Sequence, residues 1–233
     1  MDKKKSVLVL KASKDICGSE MGLIQHQFQL LEIDVVEEVI KSETHLQEII
    51  NNCAIKNLNF TYVYLCSHGD KNGFSIDYGD VKEDVTWAKF GQIMCESSIL
   101  NDDTIFLLAC CKGGLFQVAT DILSVCNKIN FVCGVKWTVH NWDLTTGFVV
   151  FIYNLETKNA QPSYAAEKAS LATDYTFACY DRDEVEMNPQ YLQRRADLFH
   201  EIGWTDANGN WTELDKTVIE NVGHQIVSNL IKE

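Results

Sequence analysis

Two runs of aliphatic, aromatic and β-branched residues, Phe60-Thr-Tyr-Val-Tyr-Leu-Cys66 and Thr104-Ile-Phe-Leu-Leu108, carry no charge and show no alternation of polar with apolar positions. A strand that alternates can leave one face in water. One that is apolar throughout must be covered on both faces, the condition of strands inside a parallel sheet. The chain around them supplies the covering. Ser6 to Leu10 reads as a first strand, and residues 18 to 31 carry apolar positions at helical spacing. Ile33 to Val39 reads as a second strand whose acidic residues demand an edge position. A helix follows from Thr44 to Asn52, with Ser42 or Thr44 able to cap it.

Beyond the Phe60 run, DKNGFSIDYGD is a turn-rich stretch that accommodates a short hairpin around Asn72-Gly73. Asp84 to Cys95 is amphipathic and predicts a helix with Asp84 as its N-cap. After Leu108 the pattern gives a helix from about Leu115 to Val125, a strand from Phe131 to Val135, and helices near Leu144 to Glu156 and Ser163 to Thr173. A strand near Phe177 to Tyr180 and two late helices complete it. Strands alternating with helices imply an α/β fold, a three-layer α/β/α sandwich around a mainly parallel sheet. The polar stretch Asp181 to Asn188 is the one soft boundary. It divides a domain over residues 1–180 from a C-terminal helical extension over 181–233. The extension's apolar stripe of Leu192, Leu198, Ile202, Trp204, Ile219, Val222, Ile226 and Leu230 must bury against something.

Composition narrows the function. The 233 residues carry 33 acidic against 20 basic side chains, a net charge of −13, which opposes association with nucleic acid or an anionic membrane. A basic protein or peptide partner fits that balance better. The nine cysteines are odd in number and sit mainly within apolar runs, the usage of a reduced, cytoplasmic protein. There is no CxxC, hence no support for a structural zinc site, and no cofactor is implied. Val7 to Leu10 is too short an apolar segment for a signal peptide or a membrane span.

The chemistry concentrates at the ends of the two apolar runs. Ser67-His68-Gly69 closes the first and Ala109-Cys110-Cys111 the second, so an imidazole and a thiol stand at carboxyl ends of strands, where sites of parallel sheets are built. A thiol attacks as thiolate, and a histidine beside it can take its proton. Singly, each residue has an ordinary explanation: a strand-end histidine is commonly a structural hydrogen-bonding group, and a cysteine in an apolar run is commonly core. Cys111 is a rival nucleophile, although successive strand residues face opposite ways and only one of the pair can address His68. Cys66 reads as a buried bystander. His140 is a second candidate base.

In LCSHGDKNGF and LLACCKGG the sequence resembles the caspase-like clan of cysteine peptidases, and within it the CHAT branch. The branch's Ala-Cys-x-x-Gly strand end is matched by Ala109, Cys110 and Gly113. Its Val-x-Gly-x-x-Trp-x-Val segment is matched by Val132, Gly134, Trp137 and Val139, and its Phe-x-x-Asn-Leu helix by Phe151, Asn154 and Leu155. The His-to-Cys spacing of about 40 residues is near the roughly 50 of caspases. The resemblance covers about residues 60 to 172. It implies a caspase-like sandwich with His68 as general base and Cys110 as nucleophile. The backbone amides of Gly69 and Cys110 would be the oxyanion donors. It also implies a bacterial stress or antiphage setting, in which a cytoplasmic endopeptidase cuts one partner protein. The sequence shows no sensor domain, so control is expected from an activating or regulatory protein or from proteolysis. At His140 and Leu144 the sequence departs from the branch, which usually has an acidic or amide residue and then threonine.

Loops at this end of the sheet would line the substrate pocket, and Asp77, Asp80, Asp143, Trp142 and His140 are candidates for it. Carboxylates there, and the absence of any arginine before Arg182, predict cleavage after a basic residue. Two other readings compete. One is a catalytically silent scaffold of the same fold that docks through its C-terminal helices. The other is a flavodoxin-like nucleotide binder, which the lack of GxGxxG or P-loop spacing after the first strand disfavours.

Overall fold

The structure, a computed structural model, describes residues 4–16, 18–202, 204–205 and 211–212. In chain order the elements are β1 (Ser6–Lys11), α1 (Ser19–Leu30), β2 (Asp34–Val39), α2 (Glu43–Ile55), β3 (Phe60–Cys66), β4 (Gly73–Ile76) and β5 (Glu83–Thr86). Then come α3 (Trp87–Cys95), β6 (Leu100–Ala109), α4 (Phe116–Val125), β7 (Ile129–Val135), α5 (Asn141–Lys158), α6 (Pro162–Thr173) and β8 (Phe177–Asp181). The last are α7 (Arg182–Glu186), α8 (Pro189–Ile202), β9 (Trp204–Thr205) and β10 (Trp211–Thr212). Six strands form one sheet in the order β2-β1-β3-β6-β7-β8. All neighbours run parallel except β8, which returns antiparallel to β7 at the edge.

Side chains alternate across this sheet and divide the core in two. Leu8, Leu10, Val63, Leu65, Phe106 and Leu108 face α2, α3 and α4, packing on residues such as Ile50, Phe90 and Ile122. Val7, Val9, Tyr62, Tyr64, Ile105 and Leu107 face α1, α5 and α6, against Ile24, Phe28, Phe148 and Ala169. Phe148 stands edge-on to Tyr64, Phe151 and Phe177, contacts that add about 0.5–1.5 kcal/mol each beyond the area they bury. This is the three-layer α/β/α sandwich expected. The acidic strand β2 occupies an edge, where Lys11 pairs with Glu37.

Four expectations change. The hairpin after β3 is β4 paired antiparallel with β5, so its turn lies over residues 77–82, and Asn72 precedes it. Residues 83–86 are therefore strand, and α3 is capped by the Thr86 hydroxyl, which accepts from Lys89 N–H at 3.2 Å, in place of Asp84. Alternation on a strand places Phe74, Ile76 and Val85 in the core, which the helical reading of Asp84 to Cys95 did not anticipate. The segment over residues 181–188 itself packs on the domain: Arg182 donates to the carbonyls of Leu123, Cys126 and Ile129, and Val185 and Tyr191 join the α2/α3/α4 core. Trp204 lies in a two-stranded ladder, β9 with β10, instead of on a helical stripe, and positions 219 to 230 of that stripe fall outside the described residues. Finally, Cys133 and Cys179, opposite one another on β7 and β8, form a disulfide, against the expectation of an all-thiol chain. Among the described residues no helix is long and apolar enough to cross a membrane.

Candidate active site

The parallel register sets the site. Cys66 of β3 lies opposite Ala109 of β6, and Ser67 N–H still reaches Ala109 O at 3.3 Å, so the chain leaves both strands at the same level of the sheet. His68 and Gly69 on one strand end and Cys110 and Cys111 on the other are thus neighbours. Gly69 lies over the Cys110 side chain: a Cβ at this glycine would stand 2.8 Å from Cys110 Sγ and 3.0 Å from Cys110 Cβ. Gly113 closes the thiol from another side, its own Cβ position 3.0 Å from Sγ. Only glycine allows two backbone segments to approach one sulfur this closely.

Those contacts bury Cys110 to 1 % exposure. Burial pushes its thiol pKa far up, and the nearby Cys111 and Asp70 add to the rise, while a hydrogen bond from Gly113 N–H opposes it. Helix α4 opens only at Phe116, so Gly113 N–H is the amide that reaches the sulfur. The Cys110 N–H itself donates to Leu108 O at 2.9 Å and in this arrangement is committed away from an oxyanion. Gly69 N–H has no acceptor among the described residues and remains open for that role.

His68 is exposed. Its backbone is held by Ser13 Oγ, which accepts from His68 N–H at 3.2 Å, and its carbonyl accepts from Ser75 N–H at 3.0 Å. The imidazole Nε2 lies 2.9 Å from each carboxylate oxygen of Asp15. A carboxylate accepts only, so Nε2 carries the proton and Nδ1 is left as the basic ring nitrogen. The hydrogen bond from His68 lowers the Asp15 pKa below its usual value, keeping the carboxylate charged. Its hydrogen-bonding partner is therefore Asp15, and no bond joins the imidazole to Cys110 Sγ. Asp15 was missed by the sequence reading. The available signal was its place just after β1, at the same carboxyl end of the sheet as His68 and Cys110.

The pocket candidates divide. Asp77 joins His68 and Asp15, the ligating atoms of the three lying within 4.8 Å of one another, and its Oδ1 accepts from Lys14 N–H at 2.7 Å. Asp80 is exposed in the 77–82 turn. His140 caps α5 through its backbone, Trp142 is 66 % exposed, and Asp143 lies in the first turn of α5. The Cys111 thiol donates to Val139 O at 3.8 Å, which places the chain just before α5 beside Cys111. A groove of about 380 Å³ runs from His68 along the hairpin, and its carboxylates are Asp70 and Asp84, two residues the sequence reading did not select. Cys66 points to the opposite core, its thiol toward Ile16 O at 3.9 Å.

No protein-family model matches the chain, and no curated protein matches it.

Proposed function

We propose that the chain is a cysteine endopeptidase in which His68 activates Cys110 toward a peptide carbonyl in a partner protein. The observation that carries this is the seating of Gly69 directly against Cys110 Sγ at the ends of adjacent parallel strands, with a carboxylate holding the neighbouring imidazole. Nδ1 of His68 would take the thiol proton, the sulfur would add to the carbonyl, and Gly69 N–H would receive the oxyanion. Proton return from the imidazolium to the leaving amine would complete acylation, and water would release the acyl group. With Cys110 covered, the described conformation is a resting one, and the backbone packed against the sulfur must shift to admit a substrate while His68 and Gly69 stay beside it. That requirement fits control by an activating protein. Among the described residues six cysteines lie outside the disulfide, four of them buried, which supports a reducing, cytoplasmic setting, and the family resemblance alone supports a stress or antiphage role.

The test is hydrolysis of peptide and protein substrates alongside labelling by a thiol-directed peptidyl probe. Cys110→Ala should abolish both, and Cys111→Ala should keep most of each. The opposite ranking moves the nucleophile to Cys111. The burial of Cys110 and the commitment of its N–H to Leu108 O favour a second reading, a silent scaffold that docks through its C-terminal helices. Equal labelling of wild type and Cys110→Ala, with no hydrolysis by either, would establish that reading instead.

Substrates should carry a basic residue before the scissile bond. Asp70 and Asp84 line the groove with Lys82 as the cation beside them, and Asp15 and Asp77 flank the imidazole, so carboxylates are in excess on either side of His68 and favour a cationic side chain. Profiling with a peptide library checks this, and a preference for aspartate at that position would overturn it.

A further inference from the structure

α3 and α4 cross in close contact on the face away from α1. A Cβ at Gly91 of α3 would stand 2.7 Å from Val125 Cγ2 and 3.0 Å from Ile122 O of α4. One turn beyond these positions, Cys95 ends α3 and Cys126 caps α4, so the crossing brings two thiols together, and they share a hydrogen bond. Cys95 is partly exposed, whereas Cys126 is fully buried.

Two cations stand beside the pair. Lys128 Nζ is held by the carbonyls of Cys95 at 2.9 Å and Ser97 at 2.7 Å. The Arg182 guanidinium donates to the carbonyls of Leu123, Cys126 and Ile129, which neutralises the electronegative end of α4 that would otherwise oppose a thiolate. The hydrogen bond from Cys126, joined by the Asn127 N–H and the two cations, overcomes burial and brings the Cys95 pKa down to about 6. Burial and the same shared bond push that of Cys126 up. The Cys95 thiol also donates to Asn127 Oδ1 at 3.8 Å, and its partial exposure makes it the sulfur that a reagent reaches first.

We propose that Cys95 and Cys126 form a peroxide-sensitive dithiol, with Cys95 as the attacking and Cys126 as the resolving sulfur. The Cys95 thiolate attacks a hydroperoxide, breaks its O–O bond and releases hydroxide or alkoxide, leaving a sulfenic acid. Cys126 then attacks that sulfur, its proton leaves with the hydroxyl as water, and a disulfide joins the ends of α3 and α4. The pair precedes the amino ends of β6 and β7, at the opposite end of the strands from His68 and Cys110, so it stands or falls independently of the peptidase reading.

The experiment uses the full chain, reduced and exposed to hydrogen peroxide near neutral pH, followed by cleavage after Glu96, Lys112 and Lys128, which separates both Cys95 and Cys126 from Cys110, Cys111 and Cys133. Mass spectrometry should find a Cys95–Cys126 bridged peptide, about two mass units lighter than the sum of its parts, ahead of any oxidation at Cys111. Cys95→Ser should abolish it. Cys126→Ala, confirmed as folded by its thermal transition, should leave a sulfenic acid on Cys95 that a cyclic 1,3-dione traps. Should Cys126→Ala not fold, the wild-type bridge and its loss in Cys95→Ser decide. A bridge that fails to form, or Cys95 oxidising no faster than Cys111, would overturn the proposal.

Discussion

At the scale of the residue, the Asp15–His68 contact decides which ring nitrogen is basic. Asp15→Ala should lower kcat by about 10- to 100-fold, the usual worth of a partner that orients a histidine, with KM nearly unchanged. Asn, which can still present an oxygen to Nε2, should restore part of it. A purely structural Asp15 would instead leave kcat intact and lower the melting temperature, so both quantities are measured on the same variants. Asp15 was legible in sequence only as a residue after a strand. A carboxylate and an imidazole separated by 53 positions give no local pattern that ties them. His68 and Cys110 were legible because each closes an apolar run.

At the scale of the element, the loop from Cys110 to Leu115 is shaped by glycines. Gly114 N–H donates to Val135 O at 2.9 Å, and a Cβ on Gly114 would meet Gly134 O at 2.2 Å and Gly134 C at 2.5 Å. Both obstacles are backbone of a central strand and cannot swing aside. Gly114→Ala should therefore destabilise the fold by about 1–3 kcal/mol and lower the melting temperature by about 2–4 °C per kcal/mol, which thermal denaturation measures; an unchanged transition would contradict this packing. The helix α4, and the strands β1, β3 and β7, follow from periodicity within a residue or two of where they lie, and α2 runs three residues beyond its expected end. The β4/β5 hairpin was harder to place, since four-residue strands carry too few alternations to outweigh the helical spacing of Trp87, Phe90 and Met94 just beyond them.

At the scale of the whole molecule, several buried acids set the response to alkali. Burial raises the pKa values of Cys110, Cys53 and Tyr62 in the folded chain. The unfolded chain would release these protons first, so stability is fully present below the ordinary thiol value of 9.0 and falls as pH rises beyond it. Melting temperature should decline steadily from pH 9 upward and less steeply in Cys110→Ala; a flat profile would show that these groups are solvated. The same burial separates what the chain declares from what only its folding creates. The fold class, the edge position of β2 and the strand-end placement of His68 and Cys110 follow from local pattern, because apolar periodicity and charge report which face of an element meets water. Tertiary structure alone decided that Asp15 meets His68, that two glycines close over the Cys110 sulfur, that Cys133 pairs with Cys179, and that Arg182 locks β8 to α4. Each depends on the register and crossing of elements distant in sequence, and those are set by the packing of the entire core.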